Sequence, residues 1–198
     1  MIAALILAAG ESRRMGRDKA LLSFGGKTFL RTIIDNLRYA GIESITVVLG
    51  HNSGIIQRAV DLSGVRVVVN REYERGQTSS LQAGLAAAVT EQPEGVIICL
   101  VDHPAVSAEV ILRLKEQFQA TRPIALIPTH KGEHGHPVVI SPKLFSELLS
   151  QAPGEPANIT IRRYRDVTEF LEVDDRGVLL DVDEPRTYEH LEEIQKRE

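Results

Sequence analysis

The chain has 198 residues, of which 43% are hydrophobic and 25% are charged. This composition is close to the globular average and excludes a disordered chain, a collagen-like repeat and a coiled-coil rod. A net charge of −4 argues against a general nucleic-acid-binding protein, because such proteins are usually basic. Because Cys99 is the one cysteine, the chain can form neither an internal disulfide nor a multi-cysteine zinc site.

The first nine residues are apolar but differ from a secretory signal. No basic region precedes them, and Gly10 and two arginines follow shortly afterwards. A buried first β-strand therefore explains this segment better. No apolar stretch approaches the roughly 20 residues that a membrane-spanning helix needs. We expect a soluble, cytoplasmic protein that does not bind membranes or nucleic acids.

The first half of the chain alternates apolar runs with amphipathic segments. Strands are predicted at 2–7, 44–49, 65–69, 96–101 and 124–127. Helices are predicted at 28–40, 53–62, 78–89 and 107–119, with Ser107 as an N-cap. Repeated β-then-α steps are typical of a mostly parallel sheet covered by helices on both faces. The predicted fold class is therefore a three-layer α/β/α, Rossmann-like domain.

The second half is less regular. Residues 130–137 form a Gly/His loop, and the pair at 141–142 indicates the start of a helix. Residues 152–158 include Pro153, Gly154 and Pro156 and are predicted to be a mobile linker or a substrate lid. Further strands are predicted at 167–173 and 178–182, separated by a turn at 174–177, and a last helix runs from Pro185 to about 194.

The loop after the first predicted strand, residues 7–19, is the first candidate site. In open parallel sheets, ligands bind beyond the carboxyl ends of the strands, near the point where the strand order reverses. Gly10 allows a ligand to approach the backbone closely, and N–H groups in such a loop can hold phosphate oxygens. The loop is basic although the chain is acidic, with cations at Arg13, Arg14, Arg17 and Lys19. The pattern indicates a polyphosphate site; a solvated basic surface loop is the alternative.

Carboxylates follow two later predicted strands. Asp102 comes directly after the fourth strand, and Asp181 and Asp183 precede the helix that starts at Pro185. Paired carboxylates beside phosphates commonly hold Mg²⁺. The alternatives are structural, since Asp102 could cap the turn before Pro104 and the later pair could cap a helix or lie in solvent. The spacing leaves open whether Asp181 or Asp183 would be the second metal ligand.

Motifs of other chemistries fail on spacing. Residues 26–28 resemble the end of a P-loop, but Leu21 stands where its first glycine belongs. No G-x-G-x-x-G follows the first strand, and no G-x-S-x-G or Cys/His pair supports a covalent hydrolase. His130, His134 and His136 do not share a helix or strand face. This spacing argues against a zinc site and favours a solvated loop; a substrate-contacting loop is implied only by the family resemblance described below.

Residues 7–19 resemble the L-A-A-G-x-x-x-R-M-G-x-x-K signature of the nucleotidyltransferases. Further family-like segments occur in the expected order at 76–81, 102–104, 135–138 and 183–185. The chain is most similar to the molybdenum cofactor cytidylyltransferases. The related guanylyltransferases usually have glycine where this chain has Ala9, which favours CTP. His103 and Gln77 depart from the subgroup, in which glutamine and an aliphatic residue are usual.

The resemblance implies a role for each candidate site residue. It implies nucleotide contacts from Leu7, Ala8, Ala9, Gly10, Glu11, Ser12, Arg14, Lys19 and Ser80. The implied catalytic residues are Arg14, Lys19 and Asp102. The implied Mg²⁺ ligands are Asp102 and Asp183. The implied acceptor contacts are His103, Gly135, His136 and Pro137. One domain spanning 1–198 would then have a nucleotide-binding half (1–105) and an acceptor-binding half (106–198).

The implied reaction is transfer of CMP from CTP to the phosphate of molybdopterin, with release of pyrophosphate. A phosphate monoester is largely dianionic at neutral pH, because its second pKa is near ~6, so the acceptor needs no side-chain base. Transient contact with a molybdoenzyme or its chaperone would follow. GTP or a sugar or alcohol phosphate as substrate, and a non-catalytic nucleotide-binding chaperone of the cofactor, are the alternatives.

Overall fold

A computed structural model describes residues 1–152 and 154–195 of the chain. The strands are Ile2–Ala8 (β1), Ser23–Phe24 (β2), Lys27–Thr28 (β3), Ile45–Leu49 (β4), Arg66–Val69 (β5), Gly95–Leu100 (β6), Ala125–His130 (β7), Glu133–His134 (β8), Val138–Ile140 (β9) and Thr168–Glu172 (β10). The α-helices are Phe29–Tyr39 (α1), Ser53–Ala59 (α2), Gln77–Ala88 (α3), Ala108–Thr121 (α4), Phe145–Ser150 (α5), Asn158–Arg163 (α6) and Pro185–Gln195 (α7).

The main sheet has the strand order β10-β7-β9-β6-β1-β4-β5, and β8 pairs with the end of β7. β1 pairs in parallel with β4 and β6, and β4 with β5. β9 is antiparallel to both of its neighbours, β6 and β7. The chain leaves β1 towards β4 and β5 and later returns to β6 on the other side of β1. The strand order therefore reverses at β1, where ligands bind in folds of this class. The mostly parallel α/β fold is confirmed.

β1 is buried along its whole length because helices cover both faces of the sheet. Ala4 and Ile6 belong to the core beneath α1 and α4, whereas Leu5 points into the core beneath α3 and α5. The α3 face packs closely: a Cβ on Gly84 would lie 2.2 Å from Leu5 Cδ1 and 2.5 Å from Val48 Cγ2. This close contact sets the position of α3 against the strands that carry the site.

Local capping signals explain where the first helices begin and end. Thr28 Oγ1 accepts a hydrogen bond from Arg31 N at 3.2 Å at the start of α1. Ser107 Oγ accepts one from Val110 N at 3.3 Å, which confirms the predicted cap of α4. Such side-chain acceptors satisfy N–H groups that have no partner within the helix. Gly41 follows α1 with φ of +71°, a backbone conformation that favours glycine.

The predicted strand at 178–182 is wrong. A 3₁₀ helix, Arg176–Leu179, covers the first two residues of that segment, and residues 180–182 are irregular. The Asp175 side chain accepts hydrogen bonds from Gly177 N at 2.7 Å and from Ser107 N at 3.2 Å. A Cβ on Gly177 would lie 2.3 Å from Ala105 O, so the turn packs tightly against the segment before α4. Tertiary docking and the Asp175 cap override the strand-like pattern of valine and leucine.

The predicted strand at 167–173 is confirmed as β10, and the predicted helix start at 141–142 is a 3₁₀ turn leading into α5. The predicted linker or lid at 152–158 includes Pro153, which lies outside the described residues. Thr78 Oγ1 donates to Glu155 O, and Gln151 Nε2 donates to Pro156 O at 3.0 Å. These contacts hold the segment beside α3, and its role as a lid stays a prediction. None of the described helices is long and apolar enough to cross a membrane.

Candidate active site

The loop after β1 is fixed by its own hydrogen bonds. Ser12 has φ of +53°, and its carbonyl accepts hydrogen bonds from Met15 N and Gly16 N, both at 3.0 Å. Ser12 Oγ accepts from Lys19 N at 3.1 Å. Asp18 then caps a short 3₁₀ helix by accepting from the amide of Ala20. The loop therefore curls over the carboxyl end of β1 and returns Lys19 towards the sheet.

This loop borders a cavity of about 350 Å³ at the switch point of the sheet. The predicted site residues that line it are Leu7, Ala8, Ala9, Gly10, Ser12, Arg14, Lys19, Ser80, Asp102 and Asp183. Glu11 lies instead in a neighbouring surface cleft, where it forms an ion pair with Arg13. The structure therefore brings most of the predicted nucleotide and metal residues to one cavity, although they come from opposite ends of the sequence.

Lys19 is the centre of an ionic cluster at this cavity. Its Nζ donates to Asp102 Oδ2 at 3.1 Å and also donates to Asp183 Oδ1. Arg14 Nη2 donates to the second oxygen of Asp183, and Arg14 Nη1 lies 3.9 Å from Glu184 Oε1. The Lys19 side chain is only 11% exposed, whereas that of Arg14 is 65% exposed. One buried ammonium therefore joins two carboxylates that are far apart in the sequence.

The surroundings of Asp183 and Asp18 shift the pKa values of these two acids in opposite directions. Burial acts to raise the pKa of Asp183, but the hydrogen bonds and charges of Lys19 and Arg14 outweigh it and lower the pKa. Asp18, which also lines the cavity, shows the opposite balance. Burial raises its pKa more than hydrogen bonds from Ala20 N and the Asn52 side chain lower it. Asp183 therefore loses its proton more readily than Asp18.

Asp102 and Asp183 fit a divalent cation. Asp102 Oδ1 is buried and has no hydrogen-bond partner among the described residues. Carboxylate oxygens are the hard ligands that Mg²⁺ and Mn²⁺ accept. Within residues 1–152 and 154–195, no group of three or more His, Cys, Asp or Glu side chains converges to bind a metal. Two carboxylates would leave the other coordination positions to water and phosphate oxygens. Asp183 lines the cavity, unlike Asp181.

Gly10 lines the cavity and has open space where a side chain would lie. A Cβ built on Gly10 meets no atom within 4 Å. By contrast, a Cβ on Gly50 would lie 2.6 Å from Ala9 O, so that glycine is needed for packing between two loops of the protein itself. The open space beside Gly10 would hold a ligand close to the backbone, as phosphate-binding loops require.

Asn70 is a site residue that sequence reasoning missed. It follows β5, and its Nδ2 donates to Ser80 Oγ at 3.0 Å and to Ser79 Oγ at 2.9 Å. Its Oδ1 accepts a hydrogen bond from Glu72 N at 2.9 Å. Asn70 therefore fixes the start of α3, where Ser80 faces the cavity. An asparagine directly after a predicted strand, at the ligand-binding edge, was the available signal. Asn70 does not itself line the cavity; the lining residues without a predicted role are Asp18, Tyr73, Gly76, Gln77, Leu100 and Val101.

The predicted acceptor residues form a separate cluster. His103, His136 and Pro137 line a small cavity of about 10 Å³, and the two imidazole centroids are 5.0 Å apart. His103 Nε2 lies 4.0 Å from Asp102 Oδ1. Gly135 packs against the C-terminal segment, because its Cβ would lie 2.5 Å from Val178 O. The cluster adjoins the ionic site through Asp102, and its contact with an acceptor stays a prediction.

Burial keeps both of these histidines neutral. It lowers the pKa of His103 below the usual value, against the opposing charge of Asp102. Burial, with a smaller contribution from the nearby His103, lowers the pKa of His136 to about 4. Nδ1 of each ring is buried and has no partner among the described residues. The pair therefore adds no positive charge beside Asp102 at neutral pH.

Comparison with known proteins agrees with this geometry. Residues 4–169 match the MobA-like NTP transferase domain family. The chain is 29% identical over 189 residues to nicotine blue oxidoreductase of Paenarthrobacter nicotinovorans, covering 92% of each protein. It is 26% identical over 183 residues to molybdenum cofactor cytidylyltransferase of Escherichia coli K12, covering 91% of this chain and 90% of the relative.

Solved structures show the same relationship. The structure of Rv0371c from Mycobacterium tuberculosis H37Rv superposes with a TM-score of 0.86 at 30% sequence identity, covering 97% of each chain. A second structure of Rv0371c is a complex with manganese and superposes with a TM-score of 0.77. Since the family match spans most of the sequence, the chain belongs to the MobA-like NTP transferase family and is a nucleotidyltransferase.

Proposed function

We propose that the protein transfers CMP from CTP to the phosphate of molybdopterin and releases pyrophosphate. The observation that carries the proposal is the contact of Lys19 Nζ with both Asp102 and Asp183, at the mouth of a cavity bordered by the loop after β1. Cations for phosphate and carboxylates for a metal are thereby brought together at one point. This combination is what nucleotidyl transfer needs, because its catalysis is mainly positioning and charge neutralisation.

The chain's own residues would act on the phosphates. Backbone N–H groups at 10–12 would hold the triphosphate beside the open face of Gly10, and Arg14 and Lys19 would neutralise its charge. An oxygen of the acceptor phosphate attacks the α-phosphorus of CTP, and a new P–O bond forms. The bond from the α-phosphorus to the bridging oxygen breaks, and its electron pair leaves with pyrophosphate. The dianionic acceptor needs no proton removed.

Asp102 and Asp183 would hold Mg²⁺. When bound, the ion would stabilise negative charge on the reacting phosphate oxygens. The unpaired, buried Asp102 Oδ1 supports this assignment, as does the manganese complex of the similar protein Rv0371c. Glu11, although in the neighbouring cleft, remains a proposed contact of the nucleotide through its backbone.

The choice of CTP and molybdopterin has separate support. Ala9 lines the cavity where guanylyltransferases usually have glycine, and the cytidylyltransferase of E. coli is similar over nearly the whole chain. We assign the acceptor to the side of His103, Gly135, His136 and Pro137, within one domain with halves at 1–105 and 106–198. We expect the reaction in the cytoplasm, with product passing to a molybdoenzyme or its chaperone.

A second candidate keeps the reaction and changes the substrates. Gln77, which lines the cavity, replaces the aliphatic residue of the cytidylyl subgroup and could favour another base, such as guanine. A sugar or alcohol phosphate could then be the acceptor. The similar nicotine blue oxidoreductase is named for a redox reaction, but the cations and carboxylates at this cavity favour phosphate transfer. They also argue against a non-catalytic chaperone.

A pyrophosphate-release assay separates these functions. The purified protein is incubated with Mg²⁺ and ATP, CTP, GTP or UTP, with and without molybdopterin cofactor or a sugar phosphate. Turnover of CTP that depends on molybdopterin supports the proposal. Turnover of GTP, or with a simple phosphate acceptor, supports the second candidate. Tight nucleotide binding with no turnover under any condition supports the chaperone and contradicts the proposal.

A further inference from the structure

In the structure, the cations proposed to bind phosphate are paired with the carboxylates proposed to bind metal. Lys19 Nζ lies 3.1 Å from Asp102 Oδ2 and also contacts Asp183 Oδ1. Arg14 holds the remaining oxygen of Asp183. The cations therefore lie where the carboxylates would bind metal, and the carboxylates lie where the cations would bind phosphate.

Either ligand alone would break these pairs at a cost. A divalent cation bound by Asp102 and Asp183 would displace the ammonium of Lys19 and repel it. A triphosphate that attracts Lys19 would leave two carboxylates unpaired beside a highly charged anion. Lys19 is 11% exposed and Asp102 is 23% exposed, so water compensates little for the lost partner. Repulsion is also stronger in such a site than in bulk water.

Both ligands together would restore every pair. Asp102 and Asp183 would then hold the metal in place of the Lys19 ammonium, and Lys19 would pair with a phosphate oxygen instead. The ammonium is a point charge on a flexible stem, so it can turn between the two anions while its backbone N stays bonded to Ser12 Oγ at 3.1 Å. Arg14 can exchange in the same way, because its side chain is exposed and also faces Glu184 at 3.9 Å.

We propose that Lys19 stands in for the metal ion in the free protein, so that divalent metal and triphosphate bind with positive coupling and each binds weakly alone. The inference rests on the proposed nucleotidyl-transfer site. Lys19 weakens metal binding until a triphosphate is bound. Coupling is reciprocal: the factor by which metal strengthens triphosphate binding equals the factor by which triphosphate strengthens metal binding.

The test measures binding without turnover. Mn²⁺ binding to the wild-type protein alone is measured by the loss of the free-ion electron paramagnetic resonance signal. Binding of inorganic tripolyphosphate is measured by titration calorimetry, once in EDTA and once in saturating Mg²⁺. We expect weak binding of Mn²⁺ alone, and tripolyphosphate binding that is tighter by about tenfold or more with Mg²⁺. Equal tripolyphosphate affinity in the two conditions overturns the inference in the wild-type protein itself.

Variants assign the effect to Lys19. Lys19→Met should bind Mn²⁺ alone about tenfold more tightly than the wild type, and the benefit of Mg²⁺ to tripolyphosphate should fall towards none. Lys27→Met is the matched control, because Lys27 also pairs with a carboxylate, Asp35 at 2.7 Å, but does not line the cavity. It should behave as the wild type. Circular dichroism checks that each variant is folded. Unchanged or weaker Mn²⁺ binding by folded Lys19→Met contradicts the inference.

This test is independent of the substrates proposed above. Tripolyphosphate carries no base, and no acceptor is present, so a protein that proves inactive with CTP and molybdopterin can still show the coupling. Conversely, CTP turnover with no coupling between metal and tripolyphosphate would overturn only the inference that Lys19 stands in for the metal. The proposed function would still stand.

Discussion

Replacing Asp102 by asparagine separates its charge from its structural contacts. The Asp102 side chain is 23% exposed; one oxygen accepts from Lys19 at 3.1 Å, and the other is buried without a partner among the described residues. Asparagine keeps the shape and one acceptor oxygen, and Lys19 stays paired with Asp183. We therefore expect the free energy of unfolding to change by less than about 1 kcal/mol. The rate of pyrophosphate release should fall about a hundredfold or more, or ~2.7 kcal/mol in the barrier, as on removal of one preorganised electrostatic contact.

Asp35→Asn provides a matched control. Its side chain is 25% exposed and pairs with Lys27 at 2.7 Å and Arg31 at 2.9 Å, on α1 and away from the cavity. We expect it to lose at most about 1 kcal/mol of stability and to keep full activity. Urea unfolding and steady-state pyrophosphate release are measured for both variants with Mg²⁺. Wild-type rates in Asp102→Asn, at the same Mg²⁺ requirement, would show that Asp102 does not hold the metal.

Four further substitutions test the site and the packing around it. Gly10→Ala should fold normally, because the added methyl group meets no protein atom, yet weaken tripolyphosphate binding about tenfold by hindering close approach of phosphate to the backbone. Gly84→Ala should instead lose about 1–3 kcal/mol of stability, because its methyl group meets Leu5. Titration calorimetry and thermal melts measure the two effects, and equal stability of the two variants refutes the packing argument. The pKa of His136 in the folded protein is lowered to about 4, so as the pH falls the unfolded chain binds a proton at this histidine before the folded protein does. The stability that is present above the ordinary histidine pKa is therefore lost as the pH falls towards 4. Between about pH 7.5 and about pH 5 the free energy of unfolding should fall by about 2 kcal/mol through this histidine. His136→Gln should remove that part of the pH dependence measured by urea unfolding, and an unchanged pH dependence contradicts the prediction. Asn70→Ala removes two buried hydrogen bonds, so the free energy of unfolding should fall by about 1–3 kcal/mol. The KM for the nucleotide should rise, and an unaltered KM would show that the contacts of Asn70 with Ser79 and Ser80 do not position the ligand.

The parallel part of the sheet could be predicted because its signals are local. Buried apolar runs of about six residues alternate with amphipathic segments that begin at good caps, such as Ser107. The rule that ligands bind at the carboxyl ends of parallel strands then placed the loop after β1 beside Asp102. In the structure, Lys19 Nζ and Asp102 Oδ2 are 3.1 Å apart. The roles of these residues stay predictions.

The remaining features depend on contacts distant in sequence. β9 has only three residues, too few for periodicity to identify as a strand, and it forms because β6 and β7 supply partners on both sides. The 3₁₀ helix at 176–179 depends on Asp175 reaching the amide of Ser107. Likewise, nothing near His136 in the sequence shows that its ring packs on His103 and is kept neutral there.

The ionic cluster also has a consequence for the order in which the molecule is completed. Lys19 and Asp102 leave the ribosome before Asp183, which follows β10. Val182 N donates to Asp102 O at 2.8 Å, so the segment after β10 docks at the end of β6. The nascent protein would therefore hold Lys19 and Asp102 without their third member until the segment after β10 has been synthesised. Proteolytic cleavage between β10 and α7 would likewise spare the sheet and still open the ionic cluster.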